Sequence, residues 1–491
     1  MMVMLRLLLR WCLICLLVSI SNISNISALH HDYNTRSSLR SSSTKLLSSS
    51  RRSHPHHHHQ YQQSNHSPPP LKVALIGAGL LAAGSHAPVL QQLEQNVRCV
   101  AVWSRNFENA ASLASQMNGA MPTDSFEEIL KSPHIDALIL STPIDVQSDM
   151  VLQALQAGKH VLSEKPLAVS MDQAHALMEE YEAAFEDDLV WNVAGDYKYA
   201  SAVRFSHKAM EEIGKPFLVS LKVRAPFLKS SHYSEAMWRN QPDWYGGMIV
   251  EAFVHASSML QRLFGSPLCV SAHTSSQTPH IPSLDTMTAQ VTWDREIQGT
   301  VSVTYASTQN EFELEVIGSQ GRMVLKRLYE GNPSNGNSAG GSGGSGNGFY
   351  RLSVENASDR YHQDIPFGGL DSDILAFSDS IQYGNHVPRF NTPQDALQDL
   401  ELVDACLESG KLNGARILLP PDMDPIHQKN YGGRNEPPIT VDHLSEDMAE
   451  EMSPWATTKS NSQQQYQPRG VDRYGHLDDG RTKWHGKERL T

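Results

Sequence analysis

Residues 71–82 read LKVALIGAGLLA, and this stretch decides the fold. The short apolar run at its start predicts a strand that is buried on both faces. Gly77, Gly79 and Ala82 then fit the G-x-G-x-x-G/A fingerprint of dinucleotide-binding folds. Gly77 permits a tight turn, Gly79 lets the backbone approach a pyrophosphate, and Ala82 lets a helix pack closely on the strand. The N–H groups at the start of that helix then favour an anion. The stretch predicts a nucleotide site, with a bare packing turn as the alternative.

Strands and helices alternate from this stretch onward. Further buried strands are predicted at 98–104, 136–142 and 159–164, with helices at 86–95, 106–117 and 145–158. Alternation of this length indicates βαβ units and a parallel sheet. The pattern therefore predicts an α/β fold in which residues 71–195 form an N-terminal Rossmann dinucleotide-binding domain.

The pattern changes after residue 195. Strands are predicted at 217–225, 268–274, 286–294, 299–307 and 311–327, and helices at 202–213, 371–383 and 393–409. Many of the strands alternate or are β-branched, which is typical of an antiparallel or mixed sheet. We expect residues 196–420 to form a second, C-terminal α/β domain for substrate binding and oligomerisation, with a flexible Gly/Ser/Asn-rich insert at 331–348.

Both ends of the chain look different from this body. Arg6 and Arg10 precede a short apolar run, so residues 1–28 predict a signal peptide and no stable membrane anchor. Residues 29–70 predict a disordered linker or a transit-like segment, because a Ser/Arg-rich part precedes a His/Gln-rich part. Two destinations stay open: a plastid reached through the secretory route, or the endomembrane lumen and secretion. Residues 421–491 are polar and predict a disordered tail.

Composition excludes several classes of function. The 491-residue chain has a formal net charge of −13, which argues against non-specific binding to nucleic acid. Beyond the N-terminal segment the cysteines are Cys99, Cys269 and Cys406, which are far apart. Neither a disulfide framework nor a metal site is predicted. The expected partner is a small-molecule substrate.

The end of the second predicted strand bears on the choice of cofactor. An NAD site usually has Asp or Glu there for the ribose hydroxyls, whereas this strand ends at Ser104 and Arg105. A guanidinium group can bind a 2′-phosphate through paired donors. We therefore favour NADP over NAD as the cofactor; the alternative for Arg105 is a solvated residue at the start of a helix.

Three segments resemble a known family. Residues 158–166, GKHVLSEKP, are similar to the GKHVLCEKP segment of the glucose–fructose oxidoreductase/inositol dehydrogenase (Gfo/Idh/MocA) family. Thr142-Pro143 and the block WRNQPDWYGGMIVEAFVH at 238–255 fit the same family. The resemblance covers about residues 71–420. It implies a Rossmann domain followed by an α/β domain with a large, mostly antiparallel sheet, an active site between them, and a homo-oligomer.

The resemblance also implies a reaction and site residues. The reaction is hydride transfer between a nicotinamide cofactor and a sugar, polyol or cyclic diol. Lys165 matches the lysine that contacts the substrate hydroxyl, His255 the acid/base, and Glu251 an aspartate that contacts substrate or orients the histidine. Weaker matches place Lys198, Tyr199, Trp238 and Arg239 near substrate, while Thr142, Pro143, Glu164 and Lys165 lie on the cofactor side.

Departures from the family pattern leave the substrate open. Glu251 and Phe253 stand where the family's D-x-G-x-H has aspartate and glycine, and Ile144 and Gln147 replace the common Asn and His after Thr142-Pro143. A second hypothesis is a catalytically silent NAD(P)-binding regulator, as in the galactose-regulon repressor of yeasts. A third is a reductase of a larger substrate, as in biliverdin reductase. The presence of both Lys165 and His255 favours an enzyme.

Overall fold

The computed structural model describes residues 68–226, 247–279, 283–293, 297–329, 348–384 and 390–420. The predicted signal peptide, nearly all of the linker, most of the Gly/Ser/Asn-rich insert and the polar tail lie outside these residues. In the part of the chain that is described, no helix has the length and apolar character needed to cross a membrane.

The first sheet is a parallel Rossmann sheet. Its strands are β1 (Leu71–Ile76), β2 (Val97–Trp103), β3 (Met121–Thr123), β4 (Ala137–Leu140), β5 (His160–Ser163) and β6 (Trp191–Val193). They lie in the order β3-β2-β1-β4-β5-β6, with every described pair parallel. All four residues of β4 are buried, as the apolar run predicts. The strand order reverses between β1 and β4, and ligands of such sheets bind at the carboxyl ends beside that point.

Helices cover both faces of this sheet. They are a π-helical turn (Ala82–His86), α1 (Ala87–Gln92), α2 (Phe107–Ala114), α3 (Phe126–Lys131), α4 (Ile144–Gln156) and α5 (Met171–Ala184). Side chains of Asn106, Ser125 and Ser170 cap α2, α3 and α5 by accepting a hydrogen bond from a backbone N–H of the first turn.

One more helix completes the Rossmann core from far along the chain. It is α9 (Leu370–Tyr383), and its residues Leu370, Ile374 and Phe377 join the apolar cluster of β1 and β2. Two other helices, α6 (Asp196–Tyr199) and α7 (Ser201–Glu212), lead from β6 into the second half of the chain. The helix α9 thus lies inside the predicted range 196–420 but packs on the first sheet, because its apolar side faces that core.

The second sheet is large and mostly antiparallel, as expected. Its strands in the described residues are β7 (Pro216–Pro226), β8 (Pro267–Ser275), β9 (Thr286–Trp293), β10 (Gln298–Thr304), β11 (Ala306–Gly318), β12 (Gly321–Tyr329), β13 (Gly348–Asn356), β14 (Arg360–Pro366) and β15 (Ile417–Leu418). The order is β14-β13-β12-β11-β7-β10-β9-β8-β15, and only β7 and β10 pair in parallel among these nine. The single strand predicted at 311–327 is wrong. The chain turns at Ser319 and Gln320 between two hairpin strands, and the apolar positions change from even (Phe312, Leu314, Val316) to odd (Met323, Leu325) across that turn.

The two faces of the second sheet differ. Phe312, Leu314 and Val316 of β11 are buried in the core. Helical elements pack against this inner side. They are α7, a second π-helical turn (Ile249–Phe253) that leads into α8 (Val254–Phe264), and α10 (Pro393–Lys411). The alternate residues of β11 form ion pairs, such as Glu313 with Lys222 at 2.9 Å. Whether this polar face joins copies of the chain, as the family resemblance implies, stays a prediction.

Candidate active site

The fingerprint turn has room for a nucleotide. Gly77 has φ = +110°, and a Cβ there would lie 2.2 Å from the carbonyl oxygen of Ser141, so only glycine fits. A Cβ on Gly79 would meet nothing within 4 Å, which leaves open space beside the backbone. Ala82 is fully buried against the sheet. These three residues have the geometry that a pyrophosphate site requires.

The other predicted cofactor residues lie at the same edge of the sheet. Ser104 and Arg105 follow β2, Thr142-Pro143 follows β4, and Glu164-Lys165 follows β5. Because β2, β1, β4 and β5 are parallel neighbours, their carboxyl ends face one cleft. The hydroxyl oxygen of Thr142 is buried and has no hydrogen-bond partner among the described residues. A buried hydroxyl needs a partner, so this atom suits a bound nucleotide.

Two side chains hold Glu164 in place. His86 Nε2 lies 2.8 Å from Glu164 Oε1, and His86 is almost fully buried. Gln147 donates through Nε2 to the carbonyl of Glu164 (2.6 Å) and to that of Pro166 (3.3 Å), and its Oε1 accepts from the Glu164 N–H (3.1 Å). Burial would raise the pKa of Glu164, but the bond and charge of His86 and the charge of Lys165 outweigh it and lower that pKa. Glu164 is therefore an anion.

Neither of these two partners is predicted as a site residue. The only signal for His86 is a histidine inside the otherwise small and apolar stretch AAGSHAP. Gln147 is noted from the sequence only as a departure from the family pattern. Gln147 both donates to and accepts from the backbone on either side of Lys165, so it fixes the conformation of that segment.

Lys165 links the Rossmann sheet to the second half of the chain. Its Nζ donates to the main-chain carbonyl of Glu251 at 3.2 Å, and its side chain is half-buried. The peptide bond between Lys165 and Pro166 is cis. Glu251 and His255 belong to consecutive turns of one helical segment. The ammonium group thus lies beside the turn that carries the predicted acid/base.

The carboxylate that faces His255 comes from Asp196. His255 Nδ1 lies 3.4 Å from Asp196 Oδ1, and both side chains are mostly buried. The His255 ring packs on Tyr197 with centroids 4.9 Å apart. Burial would raise the pKa of Asp196, but the hydrogen bond and charge of His255 and the charge of Lys165 outweigh it and lower that pKa. Burial and the charge of Lys165 lower the pKa of His255 despite Asp196. The pair is a neutral imidazole beside an ionised carboxylate.

Glu251 lies one turn before His255, in a helical turn of a different kind. It lies in the π-helical turn Ile249–Phe253, where the wider turn changes the spacing that an α-helix gives residues four apart. Burial raises the pKa of Tyr305, and the nearby charge of Glu251 adds to that rise. Phe253 is buried in the core. His255, one turn later, faces the helix α6 through its contact with Asp196.

The weaker substrate candidates are held by protein contacts. Lys198 Nζ lies 2.9 Å from Asp399 Oδ2 and donates to the carbonyl of Asp395 at 3.2 Å. The hydroxyl of Tyr199 donates to Asn391 Oδ1 and accepts from the N–H of Phe390, both at 3.1 Å. Their roles toward substrate stay predictions. Trp238 and Arg239 lie outside the described residues.

Comparisons with known proteins find oxidoreductases. The dehydrogenase FPY6 of Fusarium mangiferae is 28% identical over 363 residues, which are 71% of this chain and 98% of that protein. The 1,5-anhydro-D-fructose reductase of Ensifer adhaerens is 30% identical over 165 residues, 33% of this chain and 47% of the reductase. An oxidoreductase structure from Thermotoga maritima superposes with a TM-score of 0.61 at 20% identity, covering 71% of this chain and 98% of that one.

The family is shown by matches to both halves of the chain. Residues 71–185 match the oxidoreductase family's NAD-binding Rossmann fold. Residues 208–414 match its C-terminal alpha/beta domain. The chain therefore belongs to the Gfo/Idh/MocA oxidoreductase family.

Proposed function

We propose that this chain is an NADP-dependent dehydrogenase that transfers a hydride between the cofactor and a CH–OH group of a sugar, polyol or cyclic diol. One observation carries the proposal. Lys165 Nζ reaches the carbonyl of Glu251, in the helical turn next to His255, at the cofactor edge of the Rossmann sheet. A cation thus lies beside the helical segment that carries a neutral imidazole, and we assign the substrate hydroxyl to these two groups.

Oxidation of an alcohol requires that a hydride and a proton leave together. The bound nicotinamide supplies the hydride acceptor. His255 accepts the hydroxyl proton, because its lowered pKa keeps the imidazole neutral near pH 7. The Lys165 ammonium stabilises the negative charge that develops on the oxygen. In the reverse direction His255 returns the proton to the carbonyl oxygen, while Lys165 stabilises the negative charge that develops there.

Three features support the cofactor and the substrate class. In a typical NAD site the second strand ends in a carboxylate, which would repel a 2′-phosphate. Here β2 is followed by Ser104 and the exposed Arg105 instead. Thr142 offers an unpaired buried hydroxyl on the other side of Gly77. The Ensifer reductase acts, by its name, on a sugar derivative, which supports a carbohydrate substrate.

The test is turnover by the purified protein. We expect NADPH absorbance to rise when NADP⁺ is mixed with one or more members of a panel of sugars, polyols and cyclic diols. Lys165→Met or His255→Ala should lower kcat by about a hundredfold, the usual effect of losing a proton-transfer group. Lys215→Met and His134→Ala, at exposed positions, serve as matched controls. Unchanged rates in the site variants would refute the assignment of these residues.

The regulator hypothesis gives a different result in the same experiment. A silent regulator binds NADPH with a measurable Kd and oxidises or reduces no member of the panel. The enzyme hypothesis requires both binding and turnover. Intrinsic tryptophan fluorescence during an NADPH titration measures the binding independently of any substrate.

A further inference from the structure

We propose that Asp196 is the positioning residue that fixes the tautomer and ring orientation of His255, and that Glu251 contacts the substrate instead. The inference rests on the proposed function, and it assigns separate tasks to two carboxylates near one histidine. A family pattern that pairs the histidine with an acid four residues earlier would give both tasks to position 251.

The backbone of Asp196 is held from both sides. The N–H of the preceding Gly195 donates to Asp373 Oδ2 at 2.8 Å, and Asp373 is fully buried. The carbonyl of Asp196 packs against Gly369, where a Cβ would lie only 2.1 Å away. Gly369 has φ = +133°, so that close approach depends on glycine. A carboxylate on so fixed a backbone can orient another side chain.

The imidazole is held on its face as well as its edge. Tyr197 packs on the ring of His255, and the Tyr197 hydroxyl accepts a hydrogen bond from Arg327 Nη1 at 3.2 Å. The guanidinium carbon of Arg327 lies 4.4 Å from the ring centroid of Phe367, which fixes it in turn. With Asp196 at Nδ1 and Tyr197 on the face, Nε2 is the ring nitrogen that we assign to the substrate.

Charge decides where the imidazole proton sits. The charged groups that act on His255 are Lys165, Asp196 and Glu164, with Glu251 on the preceding turn and Arg327 behind Tyr197. An ionised carboxylate at Nδ1 favours the tautomer that carries its proton on Nδ1. The 3.4 Å contact is long, but such bonds often tighten when substrate binds.

The proton balance follows from this tautomer. When the substrate carbon loses a hydride and its hydroxyl loses a proton, Nε2 takes that proton and the imidazole becomes a cation. Asp196 stabilises the cation and takes no proton itself, as in hydrolases whose aspartate holds the catalytic histidine. Glu251, one turn before His255, would accept hydrogen bonds from other substrate hydroxyls.

The test compares Asp196→Asn with Glu251→Gln in the full chain. Asparagine keeps the shape of aspartate but not its charge, so kcat should fall on the order of a hundredfold or more while KM changes little. Glu251→Gln should act mainly on KM, raising it by about tenfold through a lost charged hydrogen bond. Asp196→Glu should recover part of kcat. An unchanged Kd for NADPH in Asp196→Asn shows that the fold is intact.

A second readout does not need turnover. In protein labelled with ¹⁵N-histidine, the His255 signals are those lost in His255→Gln. We expect the Nδ1–H tautomer near neutral pH and its loss in Asp196→Asn, with no change in Glu251→Gln. The opposite pattern, in which only Glu251→Gln alters the tautomer, would overturn the proposal. Absence of turnover by the unaltered protein would instead refute the proposed function and leave the tautomer result standing.

Discussion

Replacing Lys198 by methionine separates a substrate ligand from a buried structural ion pair. Lys198 and Asp399 side chains are 5% and 8% exposed, and their charged atoms are 2.9 Å apart. Methionine fills similar space without the charge. If the ammonium group serves the fold, the variant loses stability and leaves KM unchanged. If it binds substrate, KM rises and stability changes little.

The size of the effect follows from Asp399. Burial, only partly offset by the charge and hydrogen bond of Lys198, raises its pKa from 3.8 to about 6. That difference corresponds to about 3 kcal/mol, the cost of keeping the carboxylate ionised in the folded protein even with its partner present. Removing one member of a buried pair typically costs about 3–5 kcal/mol. We expect Lys198→Met to lose that much stability near pH 8.

The pH dependence has a definite sign. The folded-state pKa of Asp399 lies above its ordinary value, so ionisation destabilises the fold and stability falls as pH rises from about 4 to about 6. Without Lys198 that pKa rises further, and the fall continues to higher pH. The stability lost in the variant should therefore be larger near pH 8 than near pH 5, where the carboxyl group of the variant is neutral.

Urea unfolding of the full chain at several pH values measures this loss. Asp399→Asn is the matched control, since it leaves Lys198 unpaired but removes the titrating group. Lys198→Met combined with Asp399→Leu should recover much of the stability, because no unpaired charge remains. A stable Lys198→Met protein with a KM raised about tenfold would refute the structural reasoning, since a charged hydrogen bond to a ligand is worth that much.

Three further predictions concern the cofactor edge. Gly77→Ala should abolish NADPH binding and lower thermal stability, because the added Cβ would lie 2.2 Å from the Ser141 carbonyl at a φ that alanine avoids; normal binding in a titration would contradict the turn assignment. Arg105→Ala should raise the Kd for NADP⁺ by about tenfold and leave that for NAD⁺ unchanged, since one charged hydrogen bond is lost; equal effects on both would argue against a 2′-phosphate contact. His86→Gln should lower the melting temperature and raise the pKa of Glu164, because burial is then opposed by less charge; a Glu164 carboxyl titrating as before would show that His86 does not hold it.

Local chemistry explains what could be predicted from the sequence. The turn at Gly77 depends on sterics within a few residues, so the fingerprint identifies it without any tertiary information. The buried parallel strands are readable for the same reason, since both faces require apolar side chains. The family resemblance predicts that Lys165 and His255 share one site. In the structure, Lys165 Nζ contacts the carbonyl of Glu251, one turn before His255.

What could not be predicted depends on contacts between distant parts of the chain. His86 and Glu164 are 78 residues apart, and nothing near either one indicates the other. Nothing near Asp196 in the sequence indicates His255 as its partner, because the two residues belong to different helices. The hairpin turn at Ser319 and Gln320 is a different case, because the residues Gly318-Ser319-Gln320-Gly321 are a local turn signal that predicts two strands.

The helix α9 has a consequence for how the protein is made. By the time Val193 leaves the ribosome, all six strands of the Rossmann sheet exist, but Leu370, Ile374 and Phe377 of its core do not. Until those residues emerge, part of the first sheet exposes apolar surface to solvent and to chaperones. The apolar core of the dinucleotide fold is therefore complete only after most of the second sheet has been synthesised.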